Sequence, residues 1–222
     1  MLLLASNSPR RKQLLELGGW KFEILPVEID ERVREGERPS EYVRRLAKSK
    51  AQAAALRAPQ EAIIIAADTT VVDRFSSQDG GQELILGKPE DAAEAEQMLR
   101  RLRGRTHQVY TAMAVILVSD GSVLEDICLT DVIMREYSDE EMQEYIDTGD
   151  PLDKAGAYAI QHVDFHPVAK VDGCYTNVVG LPLCHLARML RKFAVRPSHD
   201  LPQACMQALN VECPIFEQLL EE

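Results

Sequence analysis

Two acids and four cations carry residue types and spacings that could do chemistry: Glu31 and Asp68, with Arg10, Arg11, Lys50 and Lys88. Asp68 interrupts Ala62 to Val72, an otherwise apolar and β-branched run. A buried carboxylate without partners is costly and tends to neutralise, so a strand keeps one only beside cations or a metal. An Asp that caps a turn at a strand end is the alternative, although Thr69 to Val72 continue the β-type run past it. Arg10, Arg11 and Lys12 follow Ser8-Pro9, a good N-cap with a proline at the first helical position. There the helix macrodipole is positive, each cation costs about 0.3–1 kcal/mol, and an anion is favoured. Three cations beside free N–H groups and serine hydroxyls suggest a phosphate, against the bland reading of a basic helix start. Cations that hold negative oxygens, with carboxylates that hold Mg²⁺ or activate water, suit phosphoryl chemistry. From these residues alone the reading stops at a phosphate-ester hydrolase or a nucleotide binder.

Other chemistries find little support. The chain has no Walker loop, G-x-G-x-x-G, H-E-x-x-H or G-x-S-x-G. His162 and His166 are four apart, but Val-Asp-Phe between them and Pro167 after them argue against a helical metal pair. A net charge of −11 over 222 residues argues against nucleic acid or a membrane surface as partner, and makes the basic cluster more conspicuous. No apolar stretch approaches the ~20 residues that span a bilayer, and the first residues do not read as a signal peptide. The five cysteines are odd in number and contain no C-x-x-C. They read as reduced thiols of a cytoplasmic protein.

The elements that must position these residues follow from apolar patterning. Met1 to Ala5 reads as a short buried strand, and the first helix runs from Pro9 to a stop at Gly18-Gly19. Trp20 to Pro26 is a strand, followed by a charged surface stretch that holds Glu31, itself an ordinary solvated acid if taken alone. Ser40 is expected to cap a helix from Glu41 to about Leu56, with Val43, Leu46, Ala47 and Ala54 inside. Lys50 falls on that apolar stripe, where it either snorkels outward or points into a polar cleft. Ala62 to Val72 reads as a strand buried on both faces. Phe75 to Gln82 is expected to be a flexible, polar hairpin loop, and Leu84 to Leu86 a short strand ending at Gly87-Lys88-Pro89. A helix over Asp91 to Arg103 precedes two long strands, His107 to Ser119 and Val123 to Arg135. Ser138 to Glu141 forms a capping box that opens another helix. Gly156, between alanines, would let a backbone or flat ligand approach closely. Gln161 either presents its amide to a pocket or satisfies neighbouring backbone. Cys174 to Val179 is expected to be a strand, and Gly180-Leu181-Pro182 to start a helix through Phe193. The composition shifts after Val195, so residues 1–195 are expected to form one domain and 196–222 a C-terminal extension of one or two short helices.

An ordered series of segments sharpens the function. Ser6 to Arg11 (SNSPRR), Asp30-Glu31, Arg45 to Ala51 (RLAKSKA), Ala66 to Val71 (AADTTV), Gly87 to Pro89 (GKP), Thr106 to Thr111 (THQVYT), Asp153 to Gln161 (DKAGAYAIQ) and Val178 to Leu183 (VVGLPL) together resemble the Maf family of nucleoside triphosphate pyrophosphatases. The resemblance implies an α/β fold like that of inosine triphosphate pyrophosphatases: a mixed twisted sheet flanked by helices, with two lobes around a deep cleft. It implies cleavage of a nucleoside triphosphate to monophosphate and pyrophosphate with a divalent cation, Mg²⁺ or Mn²⁺. The form of Asp153 to Gln161 looks like the branch that acts on dTTP and UTP. By motif, Asp68 resembles the general base and, with Glu31, the metal carboxylates. Ser6, Arg11, Lys50 and Lys88 match the triphosphate cleft, and Arg10, Thr69 and Gln161 the substrate-selecting positions. The resemblance is compatible with a homodimer. The same chemistry on modified or purine nucleotides, and a non-catalytic nucleotide sensor that affects cell division, are the competing functions. The base, Glu31 and Lys88 argue against the sensor.

Overall fold

The computed structural model describes residues 1–77, 80–213 and 215–216. Its strands are β1 (Leu2–Leu4), β2 (Phe22–Ile24), β3 (Ile63–Ser77), β4 (Gly80–Leu86), β5 (Thr106–Leu117), β6 (Ser122–Met134) and β7 (Val168–Asp172). Its helices are α1 (Pro9–Leu17), α2 (Pro39–Ala55), α3 (Ala92–Leu102), α4 (Asp139–Asp147), α5 (Tyr175–Val179), α6 (Leu183–Arg191) and α7 (Leu201–Leu209). All seven strands join one mixed sheet in the order β2-β1-β3-β5-β6-β7, with β4 paired to β3. β2, β1 and β3 run parallel, and the other pairings are antiparallel.

Alternation along the strands divides the core. Leu3, Ile64, Ala66, Ala112 and Ala114 pack against Val43, Ala47, Ala51 and Ala54 of α2. Leu2, Leu4, Ile65, Met113 and Val115 meet Leu14, Leu15, Leu186 and Leu190 of α1 and α6. Farther along the sheet, Val71, Val109 and Val132 pack with Leu99 of α3 and Met142 and Tyr145 of α4. The apolar centre of β3 is thus covered on both faces, as its composition requires.

The two edges of β3 are paired unequally. β5 takes one edge along Ile63 to Val72. β1 takes the other edge at Ile63 to Ile65, and β4 takes it from Val71 onward. Between them no strand among the described residues pairs with Ala66 to Thr70 on that side, and the sheet forks there.

Three expectations change. α2 starts at Pro39, so Ser40 lies inside its first turn; the Glu41 carboxylate instead accepts the Arg38 backbone N–H at 3.2 Å. Cys174 to Val179 is not a strand. Tyr175–Val179 is α5, and Asn177 within it donates Nδ2 to the Val109 carbonyl at 2.9 Å and to Thr130 Oγ1 at 2.8 Å. Those anchors seat one helical turn under the sheet, a long-range effect that a short apolar run with no period cannot announce. The strand of this region is β7, which the apolar pattern does not mark. Phe75 to Gln82 is the hairpin expected of it, but its strands pair farther toward the turn than a loop would, with Phe75 opposite Gln82 and Ser77 opposite Gly80; Gln78 and Asp79 lie outside the described residues. Backbone pairing alone makes such a hairpin, so its polar composition does not forbid it.

After α6 the chain returns to the end of α1. Ser198 donates its N–H to the Gly18 carbonyl at 3.0 Å and its hydroxyl to Gly19 at 2.9 Å, and His199 Nδ1 donates to Leu17 at 3.2 Å. These bonds satisfy carbonyls that every helix C-terminus leaves open. Gly19 has a φ of +67°, and a Cβ there would lie 2.1 Å from Ser198 Oγ. Residues 214 and 217–222 lie outside the described residues. No helix among the described residues is long and apolar enough to cross a membrane.

Candidate active site

A cavity of about 910 Å³ opens at the fork in the sheet. Ser6, Arg10, Arg11, Glu31, Lys50, Asp68, Thr69, Lys88 and Gln161 all line it. Because β3 lacks a neighbour here, consecutive residues on its opposite faces, Asp68 and Thr69, both reach the same space.

α1 brings its N-terminal turn to the fork because β1 ends at Leu4, just as the strand edge opens. Ser8 caps it, its hydroxyl accepting the Arg11 N–H at 3.4 Å. The three cations of that turn divide. Lys12 faces solvent and pairs loosely with Glu16 at 3.9 Å. Arg10 reaches across to Asp153 at 3.5 Å. Arg11 turns inward: Nε donates to the Gly180 carbonyl at 2.8 Å, and its terminal nitrogens donate to Thr69 Oγ1 at 3.1 Å and Ser6 Oγ at 3.4 Å. Burial lowers its pKa, against the opposing charge of Asp68. Thr69 is fixed in turn by Thr111 Oγ1 at 2.9 Å, and Thr111 donates to the Asn177 carbonyl at 3.0 Å. A short helix and two hydroxyls thus set the direction of a guanidinium.

On the other face of β3, Asp68 is 6% exposed. Lys50 of α2 points into the cavity and does not snorkel outward. Its Nζ lies 2.7 Å from Asp68 Oδ1 and 2.6 Å from Glu31 Oε1. Burial raises the pKa of Asp68, outweighing the lowering by Lys50 and Arg11. Burial also acts upward on Glu31, but there the Lys50 hydrogen bond and charge prevail, aided by Lys88 and Arg11, and its pKa falls. Two neighbouring carboxylates that share one lysine are therefore shifted in opposite directions.

Lys88 and Gln161 are exposed and form part of the rim. Gly156 does allow a close approach: a Cβ on it would sit 2.8 Å from Val71 Cγ2, and its N–H donates to the Gly87 carbonyl at 3.0 Å. That bond ties the Lys88 segment to the segment leading to Gln161. Sequence reasoning missed Gly180, Thr111, Asn177 and Tyr42, and reached Thr69 only through resemblance. Hydroxyls and carbonyls in apolar strands carry no spacing signal of their own.

Two hard carboxylate donors suit Mg²⁺ or Mn²⁺, which commonly take one or two protein carboxylates and complete their shell with water and substrate phosphate. Among the described residues no cluster of three or more His, Cys, Asp or Glu could hold a metal ion. Glu31 and Asp68 are the two carboxylates of the cavity that could hold such an ion, its other positions left to water and a phosphate ligand.

A family model described as Maf-like protein matches residues 1–193. A dTTP/UTP pyrophosphatase of Geobacter sp. (strain M21) is 46% identical over 191 residues, covering 86% of this chain and 94% of that protein. One of Alkaliphilus metalliredigens is 44% identical over 191 residues, covering 86% and 95%. Another, of Hahella chejuensis, is 43% identical over 197 residues, covering 88% and 93%.

Proposed function

The chain belongs to the Maf family, and from that premise and the geometry of the fork we infer that it hydrolyses dTTP and UTP to the monophosphate and pyrophosphate. The observation that carries the reading is Asp68: a buried acid of raised pKa on the wall of a cavity lined with cations. A binding module or nucleotide sensor has no use for a costly base in that position. We read Asp68 as the group that takes the proton from a water attacking the α-phosphorus, so that one P–O bond forms and pyrophosphate leaves. A pKa lifted toward the working pH makes such a base more effective. Lys50 orients the carboxylate, while Arg11, Ser6 and Lys88 hold phosphate oxygens. Glu31 and Asp68 would hold the divalent cation, which when bound neutralises phosphate charge. Arg10, Thr69 and Gln161 select the base. The five cysteines, none in a disulfide among the described residues, suit a reducing cytoplasm.

Thymine and uracil offer two carbonyl acceptors and an N3–H donor, which one carboxamide can match. Cytosine reverses that pattern at N3 and its exocyclic amine, which leaves polar groups unpaired at about 1–3 kcal/mol each. With a pyrophosphate-specific readout on purified protein, dTTP and UTP should exceed CTP and purine triphosphates by about tenfold or more. Gln161→Leu should compress that ratio and cost the preferred substrates most. Hydrolysis of CTP or GTP as fast as UTP would overturn the assignment of Gln161 while leaving the chemistry standing. Release of orthophosphate in place of pyrophosphate would overturn the chemistry itself.

A further inference from the structure

Glu31 lies between β2 and α2, where residues 25–38 form neither strand nor helix. No backbone ladder can hold it in place, so side chains must. α2 supplies them from one side. Tyr42 donates its hydroxyl to the Glu31 carbonyl at 2.9 Å. Arg45, one turn on, donates Nη2 to the Arg32 carbonyl at 3.0 Å. The same guanidinium grips Glu37 through Nε at 2.5 Å and Nη2 at 2.8 Å, with the two side chains only 17% and 8% exposed. It also lies over the Tyr42 ring, 5.6 Å from the centroid. Farther along α2, Lys50 meets the Glu31 carboxylate. The neighbouring acid, Asp30, is occupied by Arg32 at 2.7 and 2.9 Å. One helix thus holds the loop by backbone, by a paired acid and by the carboxylate at the cavity.

We propose that Tyr42 and Arg45 are positioning residues for Glu31: they anchor the backbone at Glu31 and Arg32 so that the Glu31 carboxylate stands ready beside Asp68 to receive a divalent cation. The inference rests on reading Glu31 as a metal carboxylate and extends it to two residues assigned no contact with metal or phosphate. The energetic logic is population. A loop correctly placed for only a tenth of the time binds its ion tenfold more weakly, with the ion's own contacts unchanged. Partners that orient a ligand commonly matter on that scale, about 10–100-fold in metal affinity.

The test is a titration of the full-length protein with Mn²⁺ alone, following free Mn²⁺ by electron paramagnetic resonance, with amide exchange of residues 25–38 measured alongside. Tyr42→Phe removes one hydroxyl and keeps the ring. It should weaken Mn²⁺ binding by about tenfold, speed exchange across residues 25–38, and leave kcat at saturating metal unchanged. Arg45→Met should do the same, more strongly. Glu31→Gln separates the two claims. If it weakens Mn²⁺ binding while Tyr42→Phe and Arg45→Met bind like the parent, the positioning role is wrong and the metal reading stands. If Glu31→Gln leaves Mn²⁺ affinity intact, the metal reading falls and the inference with it. Should Arg45→Met fail to fold, Tyr42→Phe decides alone. A lowered melting temperature with unchanged Mn²⁺ affinity in Tyr42→Phe marks a merely structural bond and overturns the proposal.

Discussion

Strand β3 carries two buried acids five residues apart, and their surroundings could hardly differ more. Asp73 is 0% exposed, and both its oxygens are held by guanidinium groups: Oδ1 by Arg105 at 3.0 Å, Oδ2 by Arg101 at 2.5 Å and again by Arg105 at 3.4 Å. It pairs with Leu84 of β4, one residue past Val72, where the β5 register ends, and it is not among the residues that line the cavity at the fork. Asp68 lies where one edge is open. Its partner is a lysine shared with Glu31, and the cavity stands before it. A carboxylate ringed by hydrogen-bonded cations is a structural joint, while one left with a single shared cation is raised in pKa and able to accept a proton. Burial of an acid is common to both sites. How fully its oxygens are satisfied separates the two.

The comparison makes opposite demands on the two residues. Asp68→Asn keeps shape and removes basicity, so kcat should fall by about 10²–10⁴ with the fold intact; near-normal turnover in a folded variant would remove Asp68 from the mechanism. Asp73→Ala should leave kcat of the folded protein close to normal and lower stability by about 3 kcal/mol, as measured by chemical denaturation. That is the low end for a broken buried pair, because Arg101 and Arg105 remain 37% and 42% exposed and can turn to water. Loss of turnover with unchanged stability at Asp73 would erase the contrast.

The smallest effect is a dependence on pH. The pKa of Asp68 is raised on folding, so its carboxyl favours the folded state when protonated, at pH below the ordinary value of 3.8, and that contribution is lost as pH rises through the folded value. Asp68→Asn resembles the protonated form at every pH. It should therefore be more stable than the parent at neutral pH, by a margin that closes in acid. Thermal melts between about pH 3 and 8, a range that spans the ordinary carboxylate value, check the sign, and a parent more stable than the variant at pH 8 would contradict it.

Much of the site is legible residue by residue. Asp68 declares itself by interrupting an apolar run, and Arg11 by standing at the wrong end of a helix dipole. Lys50 is visible as a cation on an apolar stripe, although its direction is not. Asp73 passes unnoticed, because nothing in Val72-Asp73-Arg74 distinguishes a joint from a surface acid. Tyr42 and Asn177 are equally silent: each donates to a backbone carbonyl far along the chain, 11 and 68 residues away.

What the amino-acid order determined by itself was everything decided within a few residues. The cap at Ser8 and the box at Ser138 follow from contacts between near neighbours, whose energies do not depend on the rest of the fold, while the stripe of α2 and the continuous apolar run of β3 are written in residue order and state which faces must be covered. Tertiary structure decided which edge of β3 stays open, which of three adjacent cations turns inward, and that Tyr175–Val179 is a helix. Each of these depends on partners distant in the chain. Arg11 points inward because the Gly180 carbonyl and Thr69 wait there, 169 and 58 residues away, and no local preference carries that information.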